Sequence, residues 1–392
     1  MPTKKQHYVP RVYMKAWETE VETIEEPNKK FKGIYVFEDS DIGQGKNKNS
    51  VLWKPHLYTI RYNYSFIGKS CPEVRKDFVG MVYHYLREKS EPHIYGKYGY
   101  SIIKTKRSIE KHFFDIDDWK FYYDDGNIAG KSSILSNIHA MNSYLLETSF
   151  DNFFEKNWET TYQNFVLAVH SGKPAGFDGS EITIPQDVAI NMMTAFFIML
   201  CRNPSFDAMG IYQNVKERLL YPLFTSVFSE GTEASDDTEE GRKYADDMMQ
   251  AIWYAELYKI FFKKARGFYH NAVKSALENC QMILFEAYSN AGTFITSDNP
   301  AFEHKLKVES ANNNGMIFPI SPKYLLFIGR GSEAINIVDH RFADSGTVKH
   351  FNRLISLHKT DCLISDKKFL SELIYQDYLY CPHPNTVLCL NN

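Results

Sequence analysis

The sequence is poor in cysteine, and none of its six cysteines forms a Cys-x-x-Cys pair. Cys71, Cys201, Cys280, Cys362, Cys381 and Cys389 are scattered, which excludes zinc-ligand spacing and fits reduced thiols in a cytosol. Long apolar runs are missing too. The longest, VAINMMTAFFIMLC over 188–201, is interrupted by Asn191 and Thr194. It falls short of the roughly 20 residues a bilayer span needs, so it predicts a buried helix and no membrane partner. The opening residues are basic and aromatic, without an apolar centre or small-residue cleavage site, and a cytoplasmic chain is expected. No charge of one sign dominates: 45 Lys and Arg face 48 Asp and Glu, for a net charge of −3. Without a global basic field, strong non-specific DNA binding is not expected, which leaves room for a local basic patch. The motifs G-x-x-x-x-G-K-[ST], G-x-G-x-x-G and G-x-S-x-G are absent, and with them the signatures of P-loop, dinucleotide-binding and α/β-hydrolase sites.

What remains is an ordinary globular composition, 44% hydrophobic and 24% charged, with 28 Phe and 26 Tyr. The aromatics are expected chiefly in core packing. GIYVFE (33–38) and WKPHLYTIRY (53–62) read as strands bounded by polar turns. RKDFVGMVYHYLREK (75–89) has helical spacing, and HIYGKYGYSIIKTK (93–106) reads as irregular or strand structure. From 131 to 284 the pattern is helical. One amphipathic helix is expected through LLETSFDNFFEKNWETTYQNFVLAV, with a break at 171–185 and a new helix starting at Pro185. Further helices are expected in FDAMGIYQNVKERLLYPLF and DDMMQAIWYAELYKIFFKKA, separated by a solvated acidic loop at 229–241. After 280 the period returns to two in MILFEAYS, GTFITSD, GMIFPIS and YLLFIGR, followed by a helix, a turn and a strand over 350–370. The fold class expected is α+β: amino-terminal strands (1–130), a helical middle (131–284) and a carboxy-terminal antiparallel or mixed sheet (285–392), joined in one integrated fold.

Four groupings could carry chemistry. The first is Gln6-His7-Tyr8, where Pro10 favours an extended arm and His7 offers a side chain that titrates near neutrality. Alternation points Gln6 and Tyr8 one way and His7 the other. The second is Ser297-Asp298-Asn299-Pro300 at a strand end. It is read either as an Asx turn or as a carboxylate and a carboxamide delivered to a cleft. Its S-D-N has no K-T-G companion anywhere in the chain, which rejects a β-lactamase reading. The third is Arg202, which closes the apolar helix and needs a carboxylate or phosphate partner if buried. The fourth is the Glu147, Glu155 and Glu159 helix. Glu155 and Glu159, one turn apart, could hold a divalent metal, although no H-E-x-x-H or D-x-D accompanies them.

In the order KKQHYVPRVYMKAW, YVFE, ETSFDNFFEKNWE, FFIMLCRNPSF, FITSDNPAF, FPISPKYLLFI and FNRLISLHKTDCLIS, the chain resembles the DUF4238 family over nearly its whole length. The resemblance implies that Gln6, His7, Tyr8, Pro10, Glu155, Arg202, Ser297, Asp298, Asn299, Ser321, Pro322 and Asn352 occupy the family's recurrent positions. Members often carry Arg-Thr-Pro with a further Arg. Here Arg202-Asn203-Pro204 is followed by Phe206 and Asp207, so the second arginine of an anion clamp is lacking. The family carries no assigned reaction, and the resemblance supplies positions only.

Together these residues suggest a hydrolase acting on RNA or a nucleotide. His7 is the acid–base group, Asp298 its orienter, and Arg202 and Asn299 stabilise the developing anion. Gln6, Tyr8, Ser297 and Ser321 contact the substrate. This reading requires His7 and Asp298 within hydrogen-bond reach. No cofactor is predicted; a divalent metal on Glu155 and Glu159 is the alternative. The competing reading is a non-catalytic ligand- or protein-binding sensor module in which the same residues form a structural network. The sequence carries no signal for oligomeric state.

Overall fold

The computed structural model describes residues 5–22, 29–59, 72–143, 145–172, 180–206, 253, 268–304, 315–331 and 334–374. The helices expected in 206–224 and 246–265, and the acidic loop at 229–241, lie almost wholly outside them. The chain packs as two units that cut across the three consecutive blocks suggested by periodicity. Unit 1 draws on the described residues of Met1–Gln6, Lys54–Lys156 and Phe206–Val273, and unit 2 on those of His7–Trp53, Asn157–Ser205 and Lys274–Asn392. Strand pairing between distant segments, which local periodicity does not encode, is the reason.

Unit 2 is built on a six-stranded mixed sheet. Its order is Phe302–His304, Gly315–Pro319, Tyr324–Arg330, Cys280–Ala287, Ile337–Ala343 and Ser180–Thr183. Cys280–Ala287 runs antiparallel to Tyr324–Arg330 and parallel to Ile337–Ala343. Its buried positions recur at Met282, Leu284 and Glu286, as alternation requires. Ser180–Thr183 is a strand where the sequence suggested only a break between helices. A second sheet joins Thr296–Ser297, Leu363–Ser365, Lys30–Phe37 and Thr19–Glu22, with Gln44–Lys46 also on Lys30–Phe37. Phe37, Phe294, Ile295, Leu325, Phe351 and Leu363 belong to one buried cluster fed by both sheets and the helix Ser345–His358.

The apolar run expected as a buried helix is one: Gln186–Arg202 begins at Pro185 and buries Met192, Phe196 and Met199. The long amphipathic helix is not continuous. Leu145–Phe150 leads into a π-type turn at Asp151–Glu155, and a new helix runs from Trp158 to Ser171. Glu155 therefore closes the π-type turn, and Glu159 falls in the first turn of the next helix.

Unit 1 contains the helix Pro72–His84 and a three-stranded antiparallel sheet in the order Ser101–Ile103, Ile94–Tyr98, Lys120–Tyr123. Gly96 admits the Trp119 indole, since a Cβ there would stand 2.7 Å from its ring. Lys131–Ser143 is the helix expected to open the helical stretch. Among the described residues, no helix is long and apolar enough to cross a membrane.

Candidate functional site

The amino-terminal arm is extended as expected. Lys5–His7 pairs with Trp53–Pro55, and Pro10 turns the chain into the short helix Arg11–Met14. Gln6 is fully buried. Its Oε1 accepts from the Tyr58 amide at 2.5 Å and its Nε2 donates to the Thr59 hydroxyl at 3.2 Å, so it holds the turn at 58–59. Tyr8 is also buried, its amide donating to the Leu52 carbonyl at 3.1 Å. His7, half-buried, lies between them in sequence and on the opposite phase.

Unit 2 gathers His7, Arg202, Asp298 and Asn299, but not in the way a catalytic set requires. Arg202 is wholly buried, and its Nη2 donates to the backbone carbonyl of His7 at 2.6 Å. The next residue, Asn203, donates from Nδ2 to the Asp298 carbonyl at 2.7 Å. The Asp298 carboxylate accepts from two backbone amides, Thr360 at 3.0 Å and Asp361 at 2.6 Å. The Cys362 backbone adds to the same hold on the carboxylate, and the expected bond to the His7 imidazole is not formed. Burial pushes the Asp298 carboxyl above the usual carboxylate range, against the opposing pull of the Asp361 and Thr360 amides. Asn299 is engaged at both ends: Oδ1 lies 3.5 Å from Asn203 Nδ2, and Nδ2 donates to the His358 carbonyl at 3.1 Å. Ser297 closes a local turn, accepting from the Asn299 amide and donating to the Asn299 carbonyl. The arrangement is a latch. It ties the end of the helix Gln186–Arg202 to the 297–299 turn and to the turn after Ser345–His358. Asn352 does similar work at the helix middle, bonding the Ile295 amide and the Thr293 and Leu373 carbonyls.

A different constellation has the form of a reactive site. Glu286, near the end of Cys280–Ala287, pairs in register with Tyr324, while Leu284 pairs with His340. Alternation therefore sets Glu286, Tyr324 and His340 on one face. The last turn of Trp158–Ser171 supplies His170. Glu286 Oε2 accepts from the fully buried His340 Nε2 at 2.9 Å and stands 3.5 Å from His170 Nε2. Its Oε1 meets Lys323 Nζ at 2.9 Å. His170 Nε2 lies 2.9 Å from the Tyr324 hydroxyl. Burial works to raise the Glu286 carboxyl, but the bond and charge of Lys323, with the His170 charge and the His340 bond, hold it below its ordinary range. The Tyr324 hydroxyl is pushed up, by burial first and then by the Glu286 charge. Ser321, expected at the substrate, borders this cluster: its Oγ accepts from the Tyr324 amide at 3.1 Å and from the Tyr162 hydroxyl at 3.3 Å.

The cluster grades from core to solvent. The His340 side chain is 0% exposed and that of Glu286 8%, whereas His170 is 36% and Lys323 58% exposed. An inner carboxylate–imidazole pair thus supports an outer imidazole and ammonium that solvent can reach. Sequence reasoning missed these residues. The signal was a Glu in the inward phase of MILFEAYS and a His in the inward phase of NIVDHRFA, each a polar group where alternation demands an apolar one.

A third polar pair lies near the latch. His304 Nδ1 and His358 Nε2 are 3.2 Å apart, and the His358 ring stacks on Phe302. Burial, then the His304 charge, lowers His358 to about 4. Among the described residues, no group of three His, Cys, Asp or Glu side chains is placed to hold a metal ion. Glu159 is exposed and pairs with Lys15 at 3.5 Å.

Fold and site together define an α+β protein whose mixed sheet carries a carboxylate flanked by two imidazoles and a lysine. The chain belongs to the family described as "Protein of unknown function (DUF4238)", whose sequence model matches residues 5–368. No curated protein and no solved structure matches the chain.

Proposed function

We propose that this chain hydrolyses phosphoesters of RNA or a nucleotide, with its working groups at Glu286, His340, His170, Tyr324 and Lys323 rather than at His7 and Asp298. One observation carries the reading: a single buried carboxylate contacts both imidazoles and the Lys323 ammonium, at 2.9 Å from His340, 3.5 Å from His170 and 2.9 Å from Lys323. His170 Nε2 is the nitrogen that faces the cluster, 2.9 Å from the Tyr324 hydroxyl; its lone pair takes up a proton once that hydroxyl turns away, and Glu286, 3.5 Å off, stabilises the imidazolium so formed. In the proposed step, a water oxygen attacks phosphorus and the bond from phosphorus to the leaving oxygen breaks. His170 takes the water proton and returns it to the leaving oxygen. Lys323 offsets the charge that gathers on the phosphoryl oxygens. Glu286 and His340 act as positioning residues.

For His7, Arg202, Asp298 and Asn299, the competing structural reading is favoured by their bonds, which run mainly to backbone groups. The test is turnover of total RNA, ATP and NAD by the purified chain. His170→Ala is expected to lose roughly 10²–10⁴-fold in rate while its melting temperature stays near that of the parent. His7→Ala is expected to keep most of the rate. No turnover of any of these substrates, with or without Mg²⁺ or Mn²⁺, rejects the proposal.

A further inference from the structure

The three-stranded sheet of unit 1 has an inner and an outer face, and the outer one is unusual. Its inner face carries Ile94, Gly96, Ile103 and Phe121, all buried. Register places the outer residues in two cross-strand rows. In the first, Tyr95 is opposite Tyr122, with Lys104 just beyond the strand Ser101–Ile103 on the other side. In the second, Lys97 is opposite both Ile102 and Lys120.

The first row is a stack. The Tyr95 and Tyr122 rings are 5.6 Å apart and 22° from parallel, and Lys104 Nζ stands 4.2 Å above Tyr95. The second row holds two like charges side by side, an arrangement that costs stability in an antiparallel pair. Lys97 and Lys120 are both exposed, and neither has an ion-pair partner among the described residues. Ile102 is exposed beside them, and the hairpin tip adds Tyr100, fully exposed, next to Gly99 at φ +55°. The acidic group at this edge, Asp124, is already matched by Arg87 at 2.8 Å and Lys104 at 3.4 Å. Tyr95 and Tyr122 are half-buried and support each other across the strands, but neither burial nor stacking accounts for two unmatched lysines in the next row. A ligand that is anionic along its length and offers flat rings does explain them.

We propose that this outer face binds single-stranded nucleic acid, with bases stacking on Tyr95 and Tyr122 and phosphates meeting Lys97, Lys104 and Lys120. A duplex hides its bases and fits the face less well. The face belongs to unit 1 and the cluster around Glu286 to unit 2, and the proposal stands or falls without the hydrolase reading.

Fluorescence anisotropy of the full chain with labelled oligo(U), oligo(dT) and a duplex, each of about 12 units, tests it at about 50 and 200 mM salt. Binding of oligo(U), or of oligo(U) and oligo(dT) alike, with weaker binding of the duplex supports the proposal, and the two oligomers report whether the sugar matters. Tyr122→Leu, which keeps apolar bulk, is expected to weaken binding about 5- to 150-fold. The surface double variant Lys97→Gln with Lys120→Gln is expected to fold normally and to lower the salt slope by about 1.4. Lys131→Gln, on the helix Lys131–Ser143, serves as the unaffected control. Absence of binding at the lower salt, equal binding of the duplex, or full affinity in the lysine double variant overturns the proposal.

Discussion

Asp298 shows how a residue suited to catalysis can be consumed by structure. Both its oxygens accept from backbone amides in the turn that follows Ser345–His358. Replacing it with alanine leaves those amides without their acceptor, at roughly 1–3 kcal/mol for each one that stays buried. Asp298→Ala is therefore expected to unfold at lower denaturant, whereas Asp298→Asn keeps one acceptor and loses less. Chemical denaturation of the two variants checks this. Equal stability of Asp298→Ala and the parent would show that the latch contributes nothing. Glu286 is the opposite case. It is buried at comparable depth, yet its partners are side chains, and side chains that titrate are what proton transfer needs.

At the scale of the element, the helix Ser345–His358 couples local signals to the core. Asp344 caps it through the Thr347 amide at 2.8 Å, and Val348, Phe351, Asn352 and Ile355 form its buried stripe. Its last residue, His358, is held at about 4 by burial and by the His304 charge, below an ordinary histidine value of about 6.5. His304 and His350 are lowered in the same direction, each by burial first. The fold thus prefers neutral imidazoles. That stability is present above about pH 6.5 and is lost as the pH falls toward about 4, because the unfolded chain takes up protons first. The melting temperature is expected to drop across this window. His358→Gln is expected to flatten the drop, and thermal melts from pH 7 to pH 4 check it. A parent melting temperature that stays constant over the window excludes this linkage.

At the scale of the molecule, neither unit is a continuous stretch of chain. In unit 2, Leu363–Ser365 pairs with Lys30–Phe37, and Ile337–Ala343 pairs with Ser180–Thr183. A fragment spanning 274–392 lacks both partners and exposes two sheet edges along with the cluster around Phe351. It is expected to be unfolded by circular dichroism. A cooperative melt of that fragment alone would mean that the carboxy-terminal strands need no distant partner.

Much of the fold was legible locally. Alternation in MILFEAYS, GMIFPIS and YLLFIGR marked three strands, the apolar run ending at Arg202 marked the buried helix, and Pro10 marked the arm before it as extended. Periodicity and proline act within a few residues, so a sequence displays them directly. The break at Lys156–Asn157 interrupts an unbroken helical pattern and was not legible, and the strand Ser180–Thr183 was not legible because its distant partner Ile337–Ala343 decided it. The site divides in the same way. The chain alone identified His7, Arg202, Asp298 and Asn299 as polar groups at element ends, and only the fold assigned their atoms to a latch. It also took the register of Cys280–Ala287 against its two neighbours, and a helix end from a segment more than a hundred residues earlier, to set Glu286 among His170, His340 and Lys323. Side-chain type is a property of the sequence, but proton transfer depends on distance between side chains, and distance across strands exists only once the sheet has formed.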